Sequence, residues 1–373
     1  MLTGLADIAA ARRIVVKIGS ALLVGSGAPR EAWLARMAED LGLLRRNGAQ
    51  VIVVSSGAIA LGAARLGLAK GGRGSLADAQ AAAAVGQIAL ADLWSRALAG
   101  EGITAAQMLL TLGDLEDRRR YLNAAATLGR LLEAGVIPVI NENDSVATEE
   151  IRFGDNDRLA ARVAQAAHAD LVLLLSDVDG LYDRDPRQPG AALVPVVDAV
   201  TPQVMAMASG ASTSGLGSGG MVSKLQAAQI ATRAGIALAI LNGTHDAPIA
   251  HALAADTGTL FLPVRADSAR KAWLGGRLAP AGELRVDAGC AAALKAGGAS
   301  LLAAGVVGVS GTFRRGDLVS VVSLKGERLA QGLAEYDAAE MQLIAGRRAE
   351  EQAERLGYAP RSCVIHRDHM VLL

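Results

Sequence analysis

Leu171-Val172-Leu173-Leu174-Leu175 is followed at once by Ser176-Asp177-Val178-Asp179-Gly180-Leu181-Tyr182. Aliphatic residues in an unbroken run suit neither face to water, so the run predicts a strand covered on both sides. The polar loop at its end predicts where ligands meet it. Working outward, similar runs near 13–18, 51–54, 103–109, 136–140 and 236–241 also read as strands. Helical patterns near 31–46, 76–99, 118–134, 157–167 and 221–234 lie between them. Alternating strands and helices predict an α/β fold, a mainly parallel sheet sandwiched by helices. Ligands on such sheets bind at the carboxyl ends of the strands.

The pattern changes after about residue 262. Pro263, Gly275, Gly276, Pro280 and Gly282 punctuate a stretch with no strong periodicity. The division expected is 1–265 as a catalytic domain, 266–280 as a linker and 281–373 as a small β-rich domain. Short runs at Val306–Val309, Leu318–Val322 and Cys363–His366 read as strands of that second domain.

Composition narrows the function. Lys+Arg and Asp+Glu stand at 37 each, which argues against a chain built to coat nucleic acid or an anionic membrane. The two cysteines, Cys290 and Cys363, make neither a disulfide framework nor a four-ligand zinc set. His366 and His369 stand three apart with no third ligand nearby. Arg12, Arg13 and Lys17 interrupt the N-terminal apolar stretch, so it is a poor signal peptide, and no uncharged run approaches a bilayer span. The expectation is a cytoplasmic chain without membrane contact. Aromatic residues are only 3%, too few for a base-stacking platform.

The chemistry-bearing residues follow the apolar runs. Lys17-Ile18-Gly19-Ser20 ends the first strand, and a lysine with glycine beside it can reach a phosphate, or merely sit at a surface strand end. Ser55-Ser56-Gly57-Ala58 makes a strand-to-helix turn, suited to an anion or to simple capping. Asn141-Glu142-Asn143-Asp144 and Gly154-Asp155-Asn156-Asp157 form two acidic-amide clusters, fit for an ammonium group, for magnesium, or for holding lysines. The loop from Ser176 fails as a calcium loop, because Gly180 comes too early and no Glu closes it; a nucleoside contact fits better. The Gly-rich stretch 210–220 ends in Gly219-Gly220-Met221-Val222-Ser223-Lys224 at a helix start, suited to a phosphate chain. It is no dinucleotide fingerprint, since no strand precedes it, and no Walker motif occurs.

No Ser-His-Asp set, reactive cysteine or histidine cluster is evident. That suits a nucleophile needing no base. A carboxylate with reference pKa near 4.3 is already ionised at neutral pH. Its attack on a polyphosphate needs positive charge, backbone donors and alignment.

Taken in order across 1–262, these motifs resemble the amino acid kinase family, specifically its members that phosphorylate free glutamate. The Asn-Glu-Asn-Asp and Gly-Asp-Asn-Asp pair separates these from acetylglutamate, aspartate and carbamate kinases. The tail resembles a PUA domain. The resemblance implies that Lys17 and Lys224 neutralise the transferring phosphoryl group and that Asp157 orients those lysines. It implies glutamate binding by Ser56, Asp144, Asp155 and Asn156. It implies a nucleotide site of Lys17, Gly19, Ser176, Asp177, Ser218, Gly219, Gly220, Met221, Val222, Ser223 and Lys224, with ATP carrying Mg2+ and no protein metal ligands assigned. It further implies proline as an inhibitor, a homo-oligomer, and hand-over of a labile acyl phosphate to a glutamyl phosphate reductase. Ser176 stands where threonine is common, and Val222-Ser223 where small or hydroxyl residues are usual. Two alternatives stay open: another carboxylate substrate, or RNA binding through the tail. Against the second, Arg314, Arg315, Lys325, Arg328, Arg347 and Arg348 are interleaved with glutamates.

Overall fold

The computed structural model describes residues 2–25, 28–146, 155–208, 220–263 and 280–373, and only the backbone at Arg118, Asp155 and Asp368. The expected linker 266–280 lies outside the described residues except for Pro280, as does the loop 210–220 except for Gly220. Contacts divide the chain into two units, residues 1–116 with 123–266 and residues 117–122 with 267–373.

The first unit begins with β1 (Arg13–Ile18), α1 (Ser20–Leu23), the hairpin β2 (Val24–Gly25) and β3 (Ala28–Pro29), α2 (Glu31–Arg46) and β4 (Gln50–Ser55). It continues through α3 (Ala58–Leu66), α4 (Leu76–Gly100), β5 (Ala105–Leu110), α5 (Leu112–Glu116), α6 (Arg118–Glu133) and β6 (Ile137–Glu142), although residues 118–122 of α6 fall in the second unit. After it come α7 (Asp155–Ala166), β7 (Leu171–Ser176), β8 (Val196–Val197), α8 (Pro202–Met207), α9 (Met221–Arg233), β9 (Ala237–Asn242), α10 (Pro248–Ala255) and β10 (Thr259–Phe261). The strands form one sheet in the order β5-β6-β4-β1-β7-β9-β10-β8. From β5 to β9 every pairing is parallel; β10 runs antiparallel to β9. Residues 58–66, 248–255 and 259–261 are ordered elements that the periodicity reading did not place. Each is short, and a short apolar run is ambiguous between helix and strand.

Strand alternation decides which side chain meets which helix layer. Ile14, Val16 and Ile18 of β1 join a core with Trp33, Leu34, Met37 and Leu41 of α2 and Leu90, Leu93 and Trp94 of α4. Val15 and Lys17 therefore face the opposite layer, where α7 packs on β1 and α9 packs on β9 and on α7. The central strand β7 is buried along its whole length, as its sequence predicts.

Helices α3 and α4 cross at very short range. A β-carbon on Gly62 would collide with the Ala82 carbonyl, and one on Gly86 with the Ala58 carbonyl. The crossing exists because both positions lack a side chain. Ser75 starts α4 by accepting the Asp78 N–H at 3.0 Å.

The second unit carries a separate sheet of β11 (Gly282–Val286), β12 (Val306–Gly311), β13 (Leu318–Ser323), β14 (Arg328–Leu333) and β15 (Met370–Leu372), in the order β12-β11-β13-β14-β15. Only β11 and β13 pair in parallel. Leu284, Val286, Val319, Val321, Tyr336, Ile344 and Ile365 fill its core. The expected strand at 363–366 is instead a single bridge between Leu301 and Ile365, and the last strand lies further on at β15. Helices at Ala288–Lys295, Ala338–Ile344 and Ala349–Leu356 add more helix than the sequence suggested. Side-chain caps from Asp287 and Asp337 start the first two.

In an exposed helix, Gly→Ala raises stability by up to about 1 kcal/mol. At the α3–α4 crossing the sign should reverse. Gly86→Ala is expected to lower the unfolding free energy by about 2 kcal/mol, the scale of core overpacking, as measured by urea denaturation. A stability gain would show that the helices can separate freely.

Candidate active site

The carboxyl ends of β1 and β4 and the first turns of α7 and α9 bring Lys17, Lys224 and Asp157 into one cluster and Ser56 and Asn156 into another. Asp157 lies in the first turn of α7 and is fully buried. Lys17, projecting from β1, places its Nζ 2.5 Å from Asp157 Oδ1. Lys224, one turn into α9, places its Nζ 3.5 Å from Asp157 Oδ2. The two lysines are far apart in sequence yet share one carboxylate, and both are nearly inaccessible.

Burial alone would raise the Asp157 carboxyl, but the charges of Lys17 and then Lys224, with their hydrogen bonds, outweigh it and hold it below the ordinary carboxylate value. Burial pushes the Lys224 ammonium down; Asp157 opposes that, Lys17 adds to it, and Asp177 opposes it. The cluster gathers two ammonium groups around one buried carboxylate.

The turns around this cluster are shaped by small residues. Gly57 starts α3 at φ 119, a left-handed conformation that glycine adopts readily, and packs against Leu23. Gly19 sits beside Lys17, where a β-carbon would stand 3.8 Å from Nζ. The Ser56 N–H donates to the Ile18 carbonyl at 3.0 Å, joining the β1 and β4 ends. The first turns of α3 and α9 carry backbone N–H groups that have no acceptor within their own helix.

Beside the charge cluster runs a chain of amides. Asn156 Nδ2 donates to Ser56 Oγ at 2.6 Å and to Asn141 Oδ1 at 3.2 Å. Asn141 Nδ2 donates to Gln87 Oε1 on α4 at 2.8 Å. Asn156 Oδ1 is buried without a hydrogen-bond partner among the described residues. Asp144 is half-buried at the end of β6, and its charge acts on the Arg73 guanidinium. Burial lowers Arg73, and Asp144 opposes that shift. Gln87 and Arg73, beside these residues, were not singled out by the sequence reading, and Asn141 entered it only as part of the Asn141–Asp144 cluster. Gln87 left one trace, a lone amide after Ala81-Ala82-Ala83-Ala84-Val85-Gly86.

At the end of β7, Ser176 is buried and its Oγ donates to Asp177 Oδ1 at 3.3 Å, while Asp177 itself is exposed. Asp179 accepts from Asn242 Nδ2 at 2.8 Å and from the Tyr182 hydroxyl at 3.1 Å, which ties this loop to the end of β9. Gly220 caps α9, with Met221, Val222 and Ser223 in its first turn. Ser218, Gly219 and the Asp155 side chain lie outside the described residues.

Asp157 titrates below its unfolded value, near 3.9. Its stabilisation is therefore present above that pH and lost as pH falls through the lower folded value. Asp157→Asn is expected to lower the urea midpoint clearly at pH 7, because two buried ammonium groups lose their shared counter-charge. The gap to the unaltered chain should narrow below about pH 4. Equal midpoints at pH 7 would remove Asp157 from the role of anchor.

Comparison with known proteins gives the family. Residues 12–242 match the amino acid kinase family and residues 282–356 match the PUA domain. A glutamate 5-kinase of Novosphingobium aromaticivorans is 67% identical over 97% of this chain and 96% of its own. One of Sphingopyxis alaskensis is 62% identical over 97% of each, and one of Zymomonas mobilis is 53% identical over 97% of this chain and 91% of its own. With one family spanning most of the first unit and relatives this similar along nearly the whole length, the chain belongs to the amino acid kinase family, on its glutamate 5-kinase branch, and carries a PUA domain.

Proposed function

We propose that this chain transfers the γ-phosphoryl group of ATP to the side-chain carboxylate of free L-glutamate. The product is L-glutamyl 5-phosphate, and the step opens proline biosynthesis. The observation that carries the proposal is the pair of buried lysines on one buried carboxylate, beside an amide chain that ends in an unpartnered acceptor.

Lys17 and Lys224 meet the phosphoryl oxygens as charge spreads over them in the transition state. Asp157 orients both ammonium groups. It is not the base, since the glutamate carboxylate is already ionised. Ser56, Asp144, Asp155 and Asn156 hold glutamate. Gly19, Ser176, Asp177 and the segment Ser218 to Lys224 line the nucleotide site. Among the described residues no three His, Cys, Asp or Glu side chains converge on one point. Mg2+ would arrive held by the phosphates of ATP and shield their charge.

Catalysis resides in 1–265, joined through 266–280 to the PUA domain of 281–373. Proline inhibits at the glutamate site, the chain works as a homo-oligomer in the cytoplasm, and its acyl phosphate passes to a glutamyl phosphate reductase. Among the described residues no helix is long and apolar enough to cross a membrane.

Trapping the acyl phosphate with hydroxylamine, in the presence of ATP and Mg2+, tests the proposal. Glutamate should give hydroxamate, and N-acetylglutamate and aspartate should not; added proline should suppress it. Hydroxamate from another acid alone would move the substrate, and none from any acid would overturn the reading.

Lys224→Ala should lower kcat by about a hundredfold to a thousandfold, the scale of losing one electrostatic stabiliser, in protein that still folds by circular dichroism. An unchanged kcat would strike Lys224 from the machinery.

A further inference from the structure

Helix α4 turns two polar side chains toward the site, Gln87 and Trp94. They are seven residues apart, so they lie about two turns apart on one face. Trp94 Nε1 donates to Ser55 Oγ at 2.9 Å, and Ser55 Oγ donates to the Ser56 carbonyl at 3.1 Å. Gln87 Oε1 accepts from Asn141 Nδ2. One helix thus holds both Ser55, next to Ser56, and Asn141, the partner of Asn156.

The Gln87 branch has a direction. Gln87 offers an oxygen, so Asn141 must offer its NH2 there and turn its own oxygen toward Asn156. Asn156 then spends its NH2 on Asn141 and Ser56. Its oxygen is left over, buried and without a partner among the described residues. Turning any single amide would set two oxygens, or two NH2 groups, face to face. The three amides therefore have two coherent settings, and only one presents an acceptor at the end of the chain.

We infer that Gln87 is a positioning residue for amino acid recognition: its Oε1 sets the sense of the amide chain, so that Asn156 presents an oxygen to the substrate's ammonium group. This rests on the reading that Asn156 holds the amino acid. The reverse setting would aim an NH2 group at that ammonium. It would cost the contact and leave donors opposed.

Gln87→Met keeps the length of the side chain and removes the acceptor. Gln87→Glu keeps an acceptor and cannot offer an amide donor. The measurement is steady-state kinetics with glutamate and ATP varied in turn, with thermal unfolding of each variant alongside. Gln87→Met should raise KM for glutamate about tenfold, the scale of one misplaced buried hydrogen bond. Its kcat should stay within about threefold, and KM for ATP should not move, because the phosphoryl cluster is untouched. Gln87→Glu should keep KM for glutamate within about threefold of the unaltered chain.

A Gln87→Met enzyme with unchanged KM for glutamate would overturn the inference, as would a Glu variant as impaired as the Met one. Asn156→Ala separates the two readings. If it leaves KM for glutamate unchanged, the assignment of Asn156 fails and the inference falls with it. If it raises KM while Gln87→Met does not, only the role of Gln87 is lost.

Discussion

Two ammonium groups buried side by side repel each other and forfeit hydration, and neither would remain charged there without a shared anion. Asp157 is that anion, and the arrangement of the first unit follows from what it must reach. Lys17 meets it only because strand alternation sends residues 15 and 17 of β1 to the layer of α7 and α9. Lys224 meets it only because α9 packs against α7 with its first turn beside Asp157. Moving any of the three elements by one residue would turn its charge away. The cluster is thus a register constraint on the fold as well as a site.

A second constraint lies on the other layer. Helix α4 can brace Ser55, Ser56 and Asn141 only if it comes close to the turn after β4. Gly62 and Gly86 permit that approach at the α3–α4 crossing, and Gly57 permits the turn that starts α3. Each glycine costs helix or chain entropy. What it provides is a rigid wall behind the amides, held at two points two turns apart. Charge is organised from the α7–α9 side of the sheet and amide polarity from the α4 side, and the two meet at Ser56 and Asn156.

Much of this was legible in the residues. The run Leu171 to Leu175, between polar loops, read as a doubly covered strand, and the parallel core from β5 to β9 follows from repeats of that pattern. Lys17, Asp157 and Lys224 were legible as chemistry because each follows an apolar run or opens a helix. Their meeting on one carboxylate was not, since it depends on which face each strand residue takes and how two helices pack. Gln87 was harder still. It sits mid-helix in an alanine-rich stretch, 54 residues from Asn141 in the chain, and its role exists only through that hydrogen bond. The tail misled the strand reading at Cys363 to His366, because a buried apolar run fills the core there without joining a ladder.

Both oxygens of Asp157 are engaged by ammonium groups, and its proton affinity is lowered by them. Such a carboxylate is a poor acceptor for a substrate proton. A hydroxyl substrate, which must lose a proton to attack, would find no help from it. A carboxylate substrate arrives ionised and needs only its repulsion from the phosphates overcome. Two ammonium groups held on one buried carboxylate are suited to do so, and they are in place before the substrate arrives, so little reorganisation remains for the reacting step. The same lowering of Asp157 that stabilises the fold at neutral pH makes it a poor proton acceptor, which suits the carboxylate nucleophile proposed above.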